Sequence, residues 1–434
     1  MPLHFERLDG MTQVADTFAS FFANLPVSFW LDRENHPTER FSIIGTGVQA
    51  DLKDIRQIAD LSKLLKTFGF EAELPFSFRP GIVGVLNYEH GKFGEPLGDF
   101  LKVDRAIVFD HENRKMYFLG EFATREEFDF WYHAALLRLA LIGGDAKNYQ
   151  NEFPAATSAL LKAEQNTATY LENIKTAQRQ IANGEVYQLC LTNRLRGEYT
   201  GDPLSYFLRL RRSHSAPYAA FIKTSRQSYV SLSPERLLSV SNGVAFSTPI
   251  KGTRPRSKDR GEDDALRNEL QLDPKERAEN LMIVDLIRND LAMVCHPESV
   301  QVEKLLEVVS YSTVHQLVSE ISGKLLPGKT AVDALGALFP GGSMTGAPKS
   351  RAIELIEELE SSRREGYSGA IGYLGSDGSC DLGMVIRTAI FSGNQVTIGI
   401  GGGITIDSEP EKEHAEIQLK ANALTSALSA QVDW

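Results

Sequence analysis

Cysteine is scarce in this chain: Cys190, Cys295 and Cys380 are the only three in 434 residues, and no two form a CxxC pair. An odd, widely spaced set excludes a disulfide framework, argues against a structural zinc site and fits a reducing compartment. Positive charge is also in short supply. Lys and Arg number 46 against 57 Asp and Glu, a formal net charge of −11, which excludes the broad basic footprint of a nucleic-acid-binding protein. Long apolar runs are missing as well. The longest uncharged stretch, 388–406 (TAIFSGNQVTIGIGGGITI), holds five glycines among Thr, Ser, Asn and Gln, and it reads as a strand hairpin rather than a membrane span. The opening MPLHFERLDG has no basic segment leading into an apolar core. No secretory signal, no membrane association and a cytoplasmic location are therefore expected.

What is present is ordinary globular material, 42% hydrophobic and 24% charged. Residues 1–150 mix short strand-like runs (SFWL, RFSIIG, GIVGVLNY, RAIVFD, KMYFLGEF) with helical stretches near 54–68 and 124–141. The segment 143–168 is rich in Gly, Asn, Ala and Ser and reads as a linker. A helix follows, with Thr169 and Glu172 spaced as a capping box and Gly184 as its stop. From 185 on, YQLCLTNRL, YAAFIK, SYVSLS, LLSVSNG and VAFSTPI read as consecutive strands. Two later helices carry chemistry. One opens at Asp273-Pro274-Lys275-Glu276, an N-cap with proline at the first helical position; the other opens near Ser408-Glu409-Pro410 and runs to about Ala430. Runs of strands before runs of helices favour an α+β arrangement.

Glu276 and Glu279 share one face of the first of these helices, and Glu413 and Glu416 one face of the second, because i and i+3 are helical neighbours. Two such faces brought together suit Mg²⁺, a hard cation that takes carboxylates and water; apart, they are solvated surfaces. Glu411–His414 has di-iron spacing, but the first helix has no matching histidine. Glu235 and Lys251, sixteen residues apart in SPERLLSVSNGVAFSTPIKGTRPR, suit a general acid and a nucleophile across adjacent strands. A nucleophilic lysine needs a lowered pKa, which the cations Arg254, Arg256, Lys258 and Arg260 would supply; the same cations also read as a solvated loop. Arg387, inside LGMVIRTAIF, needs an anionic partner, either a ligand carboxylate or a structural ion pair. Gly401-Gly402-Gly403 permits close backbone approach to a ligand, or a bulge. His315 alone reads as a core histidine.

SPER, PIKGT, AENLMIVDLIRND, TGAPKSRAIELI, GYSGAIGYL, VIRTAI and GGGITIDSEPEKEHAEIQLKA occur here in the order shown by chorismate-utilising enzymes. The resemblance spans about residues 165–425. It implies an α/β fold of the α+β type: two large, mostly antiparallel sheets packed as a sandwich with helices outside. Residues 1–150 would be integral to that body and 165–425 would form the chorismate-binding catalytic region. Lysine in PIKGT resembles the aminodeoxychorismate synthase component I branch, where anthranilate synthases carry alanine. Gln188 of YQLCL stands where water-using relatives place a lysine base, which favours amination.

By that resemblance Glu235 is the general acid at the departing 4-hydroxyl and Lys251 attacks C2, with ammonia then entering at C4 to give 4-amino-4-deoxychorismate for 4-aminobenzoate and folate synthesis. His315 is placed beside the 4-position. Gly252 and Thr253 contact the ring, while Tyr367, Arg387 and the amides of Gly401, Gly402 and Gly403 clamp the enolpyruvyl carboxylate. Glu279 and Glu416, with Glu276 and Glu413, hold Mg²⁺. A glutamine amidotransferase partner supplies ammonia; anthranilate synthase component I is the alternative within the family. Arg40, Phe41, Pro217, Tyr218 and Ala219 match parts of a tryptophan pocket found in relatives. Leu31-Asp32 stand where that pocket has a serine, so tryptophan feedback is not expected.

Overall fold

Strand Ser28–Asp32 is buried along its whole length. Phe29 and Leu31 enter one apolar cluster and Trp30 another. A strand buried on both faces belongs in the middle of a layered body, because successive side chains point to opposite sides. Ile43 and Ile44, Val108 and Phe109, and Ile222 and Phe221 divide between the same two clusters. In the computed structural model, residues 2–434 are described apart from 35, 37–38, 54, 66–73, 91–95, 156–158 and 312–313.

One layer runs Leu3–Asp9, Lys115–Glu121, Gly98–Asp110, Phe41–Gln49, Ser28–Asp32, Tyr218–Lys223, Ser228–Ser233, Thr388–Ser392, Gln395–Ile404, Gln188–Glu198 and Ala159–Ala163. Gly98–Asp110 also pairs with Gly81–Leu86. From there the second layer continues through Ala370–Gly375, Cys380–Met384, Arg236–Ser241, Val244–Thr248, Val314–Lys324 and Gln301–Ser310. Among the described residues the pairings are antiparallel except Ala430–Asp433 with Ala159–Ala163. The inner faces meet in a cluster that joins Phe29 and Ile222 to Val83, Val85, Ile371 and Tyr373. Helices Thr167–Ala182, Pro203–Ser213 and Pro410–Ala427 cover the first layer's outer face. Pro274–Ala292 and Ala331–Leu338 cover the second's. The expected sandwich of mostly antiparallel sheets with outer helices is thus present, its two sheets joined through one long shared strand.

Local expectations fare unevenly. Stretch 388–406 is the hairpin Thr388–Ser392/Gln395–Ile404, and no helix among the described residues is long and apolar enough to cross a membrane. The segment read as a linker holds helix Asp145–Glu152 and strand Ala159–Ala163, with residues 156–158 outside the described set. The helix expected from Thr169 starts at Thr167, because Asn166 is its cap and accepts from the Thr169 amide. Near 54–68 the described part is the 3₁₀ turn Ile58–Leu64; residues 54 and 66–68 lie outside it. The last long helix stops at Ala427, and Ala430–Asp433 is a strand.

Candidate active site

The two Glu-x-x-Glu helices come from opposite layers and meet. Asp273 caps Pro274–Ala292 by accepting from the Lys275 and Glu276 amides. That cap fixes where the helix begins and so which face carries Glu276 and Glu279. On Pro410–Ala427, Glu413 is buried and accepts from Ser408 at 2.7 Å and from Lys275 Nζ at 3.0 Å. Lys275 also stands 4.0 Å from Glu279. Burial works against the Lys275 charge, but Glu413, Glu279 and Glu416 outweigh it and raise its pKa. Glu276 is pushed up by burial and by repulsion from Glu279, Asp273 and Glu416. Glu416 is half exposed and bound to Lys420 at 2.7 Å; burial opposes its charge, yet Lys420, Lys275 and Lys251 together hold it below its usual value.

Among the described residues, no group of three His, Cys, Asp or Glu side chains is arranged to hold a metal ion. Glu279, Glu413 and Glu416 instead share an ammonium, Lys275. Hard oxygen donors from two helices that gather on one cationic point fit the donor chemistry of Mg²⁺. Glu411 is exposed, and His414 is turned between the Tyr170 and Trp434 rings, away from these carboxylates.

Lys251 lies on Ile250–Pro255, 3.4 Å from Glu279. Its neighbour Gly252 has φ +73° at a register shift in the pairing with Val314–Lys324, a bulge that turns the chain against Glu276. A Cβ there would lie 2.7 Å from Leu270 and 3.0 Å from the Glu276 carboxyl carbon. Thr253 follows, next to Arg254, which is paired with Glu269 and Asp273. Arg256 is paired with Asp263. The basic run therefore does not gather around Lys251. Burial would lower the Lys251 pKa, but the charges of Glu279, Cys190 and Glu235 overcome it and raise it. This reverses the direction expected for a nucleophilic lysine: as arranged, Glu279 keeps it an ammonium.

Glu235 sits in the break between Ser228–Ser233 and Arg236–Ser241 and is buried. Burial pushes its pKa to about 7, with the Ser343 hydroxyl and the Lys251 charge opposing. Such a carboxyl is partly protonated at neutral pH, the state a general acid requires.

Gly401, Gly402 and Gly403 pair with Thr192, Leu191 and Cys190 along one edge of their strand. On the other edge the pairing with Thr388–Ser392 covers only Gln395–Ile398, so the glycines' second edge is free of ladder partners among the described residues. Gly403 is the point of closest approach. A Cβ there would stand 2.6 Å from Gln188 Nε2, 3.3 Å from Lys251 Nζ and 3.4 Å from Glu279 Oε2. Gln188 is buried, and its Oε1 has no hydrogen-bond partner. Lys420 donates to Gly401 O at 3.0 Å. Tyr367 is buried, its ring lying over Gly399.

Arg387 has a left-handed backbone (φ +49°), a strained conformation for arginine of the kind that gathers at functional sites. Its pKa is lowered by burial alone. Among the described residues no carboxylate pairs with it, and an arriving anion would meet a half-buried guanidinium.

His315 is buried with both ring nitrogens occupied, by Asp263 at 3.0 Å and Ser310 at 2.8 Å. Neither contact reaches Glu235 or Lys251. The residues matched to a tryptophan pocket lie on neighbouring strands but have their own partners. Arg40 binds Asp110 and Glu112 and covers Phe41. Pro217-Tyr218-Ala219 begins the strand beside Asp32, and the Tyr218 ring carries the Arg33 guanidinium at 4.4 Å while its hydroxyl donates to Asp381 at 3.0 Å. Asn35, Pro37 and Thr38 of that segment lie outside the described residues.

Sequence reasoning missed Lys275 and Lys420 as members of the site. The i, i+4 spacings Lys275–Glu279 and Glu416–Lys420 are the signal that would have found them.

Comparison with known proteins identifies the family of this chain. The family model described as chorismate binding enzyme matches residues 27–426. A Streptomyces pristinaespiralis protein, aminodeoxychorismate synthase, is 36% identical over 98% of this chain and 65% of its own length. Aminodeoxychorismate synthase component 1 of Salmonella typhimurium is 35% identical over 82% of this chain and 78% of its own. The crystal structure of anthranilate synthase component I from Streptococcus pneumoniae superposes with TM-score 0.76 at 30% identity, covering 98% of this chain and 93% of that one. The chain spans only 41% to 65% of the length of the first four curated relatives it matches.

Proposed function

The chain belongs to the chorismate-binding enzyme family, and from that premise we propose that it aminates chorismate at C4 to 4-amino-4-deoxychorismate. The observation that carries this reading is Lys251, set 3.4 Å from Glu279 and close enough for its charge to act on Glu235, in a chain whose half-buried Arg387 has no carboxylate partner among the described residues. The names of the first four curated relatives, all aminodeoxychorismate synthases, point the same way.

Arg387 and the free glycine edge bind the enolpyruvyl carboxylate and fix the ring. Glu235 gives its proton to the 4-oxygen, which leaves as water. Lys251, once its own proton has left, forms a bond to C2 as the ring double bonds shift and the C4–O bond breaks. Ammonia then bonds to C4, the double bonds shift back, the C2–N bond to Lys251 breaks to return the neutral amine, and the new C4 ammonium gives a proton back to the Glu235 carboxylate. Glu279 and Glu416, with Glu276 and Glu413, would hold Mg²⁺, which neutralises the ring carboxylate when bound. Because Glu279 keeps the proton on Lys251 as arranged, attack requires the Glu279 charge to be drawn away first.

A separate amidotransferase is proposed as the ammonia source. All three cysteines are buried, and burial raises each thiol's pKa, which disfavours the thiolate a glutaminase needs. The name of the Salmonella relative, component 1, supports a multi-component enzyme.

Lys251→Ala tests the scheme. It should abolish most aminodeoxychorismate formation, and wild-type protein incubated with chorismate and no ammonia should carry a chorismate-derived mass on the Lys251 peptide. No adduct together with near-wild-type turnover in Lys251→Ala would overturn the covalent route and weaken the assignment to C4 amination.

A further inference from the structure

Three ammonium groups stand among the four carboxylates, and they are not equivalent. Lys251 is 13% exposed and held on a strand, so it has nowhere else to go. Lys420 pairs with Glu416 on its own helix and also donates to Gly401 O, which ties it to the glycine strand. Lys275 bridges the two helices, 3.0 Å from Glu413 and 4.0 Å from Glu279, and is 43% exposed in the first turn of its helix. Glu413 is 5% exposed and Glu279 9%, so each is a desolvated carboxylate that needs a cation. The Lys275 ammonium supplies one from a side chain long enough to reach solvent when released.

We propose that Lys275 is a displaceable internal counter-ion that holds the two helices' carboxylates together until a divalent cation takes its place, and so sets how tightly the free protein binds that cation. The inference rests on the Mg²⁺ reading given above. The two positive charges cannot share the same oxygens without repulsion, so cation binding must move the ammonium outward. The consequence is selective: metal binding to the substrate-free protein is weakened by a competitor that the chain carries itself.

Titration calorimetry with Mn²⁺ in place of Mg²⁺, without chorismate, reads this apart from activity. Lys275→Met should bind Mn²⁺ on the order of tenfold more tightly than wild type, the scale expected for removing a partly exposed competing ion pair. Lys275→Arg keeps the charge and should stay near wild type, while Glu279→Gln should lose binding. Thermal unfolding of each variant reports whether the fold is kept; Lys275→Gln, with a polar end, serves if the methionine variant is unstable. If Glu279→Gln loses Mn²⁺ but Lys275→Met and Lys275→Gln bind as wild type does, the metal site stands and the competitor role is wrong. If Glu279→Gln binds Mn²⁺ unchanged, the metal reading itself fails and the inference falls with it.

Discussion

Glu235 shows how burial can raise a carboxyl into the state that its proposed role as general acid requires. Its pKa near 7 means the folded protein holds a proton that the unfolded chain releases near 4.5. The group's contribution to stability is therefore fully present below about pH 4.5 and lost as pH rises through 7. A shift of this size corresponds to about 3 kcal/mol. Glu235→Gln should accordingly equal wild type in urea unfolding at pH 4.5 and exceed it by up to about 3 kcal/mol at pH 8, while losing nearly all activity. A variant no more stable at pH 8 would mean Glu235 is already ionised. In the wild type, kcat should fall as pH rises through about 7, because the proton to be donated is then gone. Arg387 makes the complementary case, a half-buried cation with no carboxylate partner among the described residues. Arg387→Lys keeps the charge but loses the bidentate fork, and should raise KM for chorismate by about tenfold or more with a smaller change in kcat. A change confined to kcat would place Arg387 at the reacting bonds instead.

At the scale of elements, the site depends on where two helices begin. Asp273 fixes one of them and also holds Arg254 at 2.9 Å. Asp273→Ala should cost about 1–2 kcal/mol in thermal unfolding, whereas Asp273→Asn, which still caps, should cost less; equal losses would assign the effect to the Arg254 pair. Local signals of this kind were legible in the sequence. Asp273-Pro274 marked a helix start correctly, and 388–406 was a hairpin because its glycines and polar residues interrupt any apolar helix. Pairing was not legible from composition or spacing. Nothing local in SFWLD says that Ser28–Asp32 lies between Phe41–Gln49 and Tyr218–Lys223. The layered fold came only through the ordered motifs of the family. Residue types and spacing singled out the four carboxylates and Lys251, which the fold brings together. They did not show that Arg254 and Arg256 are neutralised by acids from the next helix, so the expected lowering of the Lys251 pKa was wrong in direction. His315 was likewise drawn toward the chemistry, whereas its ring is held by Asp263 and Ser310.

At the scale of the whole molecule, the two layers each contribute one acidic helix to the carboxylate cluster, the first also the glycine strand and the second Lys251, while Glu235 lies where the chain passes from one layer to the other. On the proposed reading this arrangement supplies groups to bind chorismate and move its proton, while all three thiols are buried. The purified chain should therefore turn over chorismate with Mg²⁺ and an ammonium salt, and should not do so with glutamine alone. Product analysis of that ammonium reaction by mass spectrometry tests the central claim most directly. The account predicts 4-amino-4-deoxychorismate, with the enolpyruvyl group retained and no pyruvate released. Anthranilate appearing together with pyruvate would contradict it and assign amination to C2.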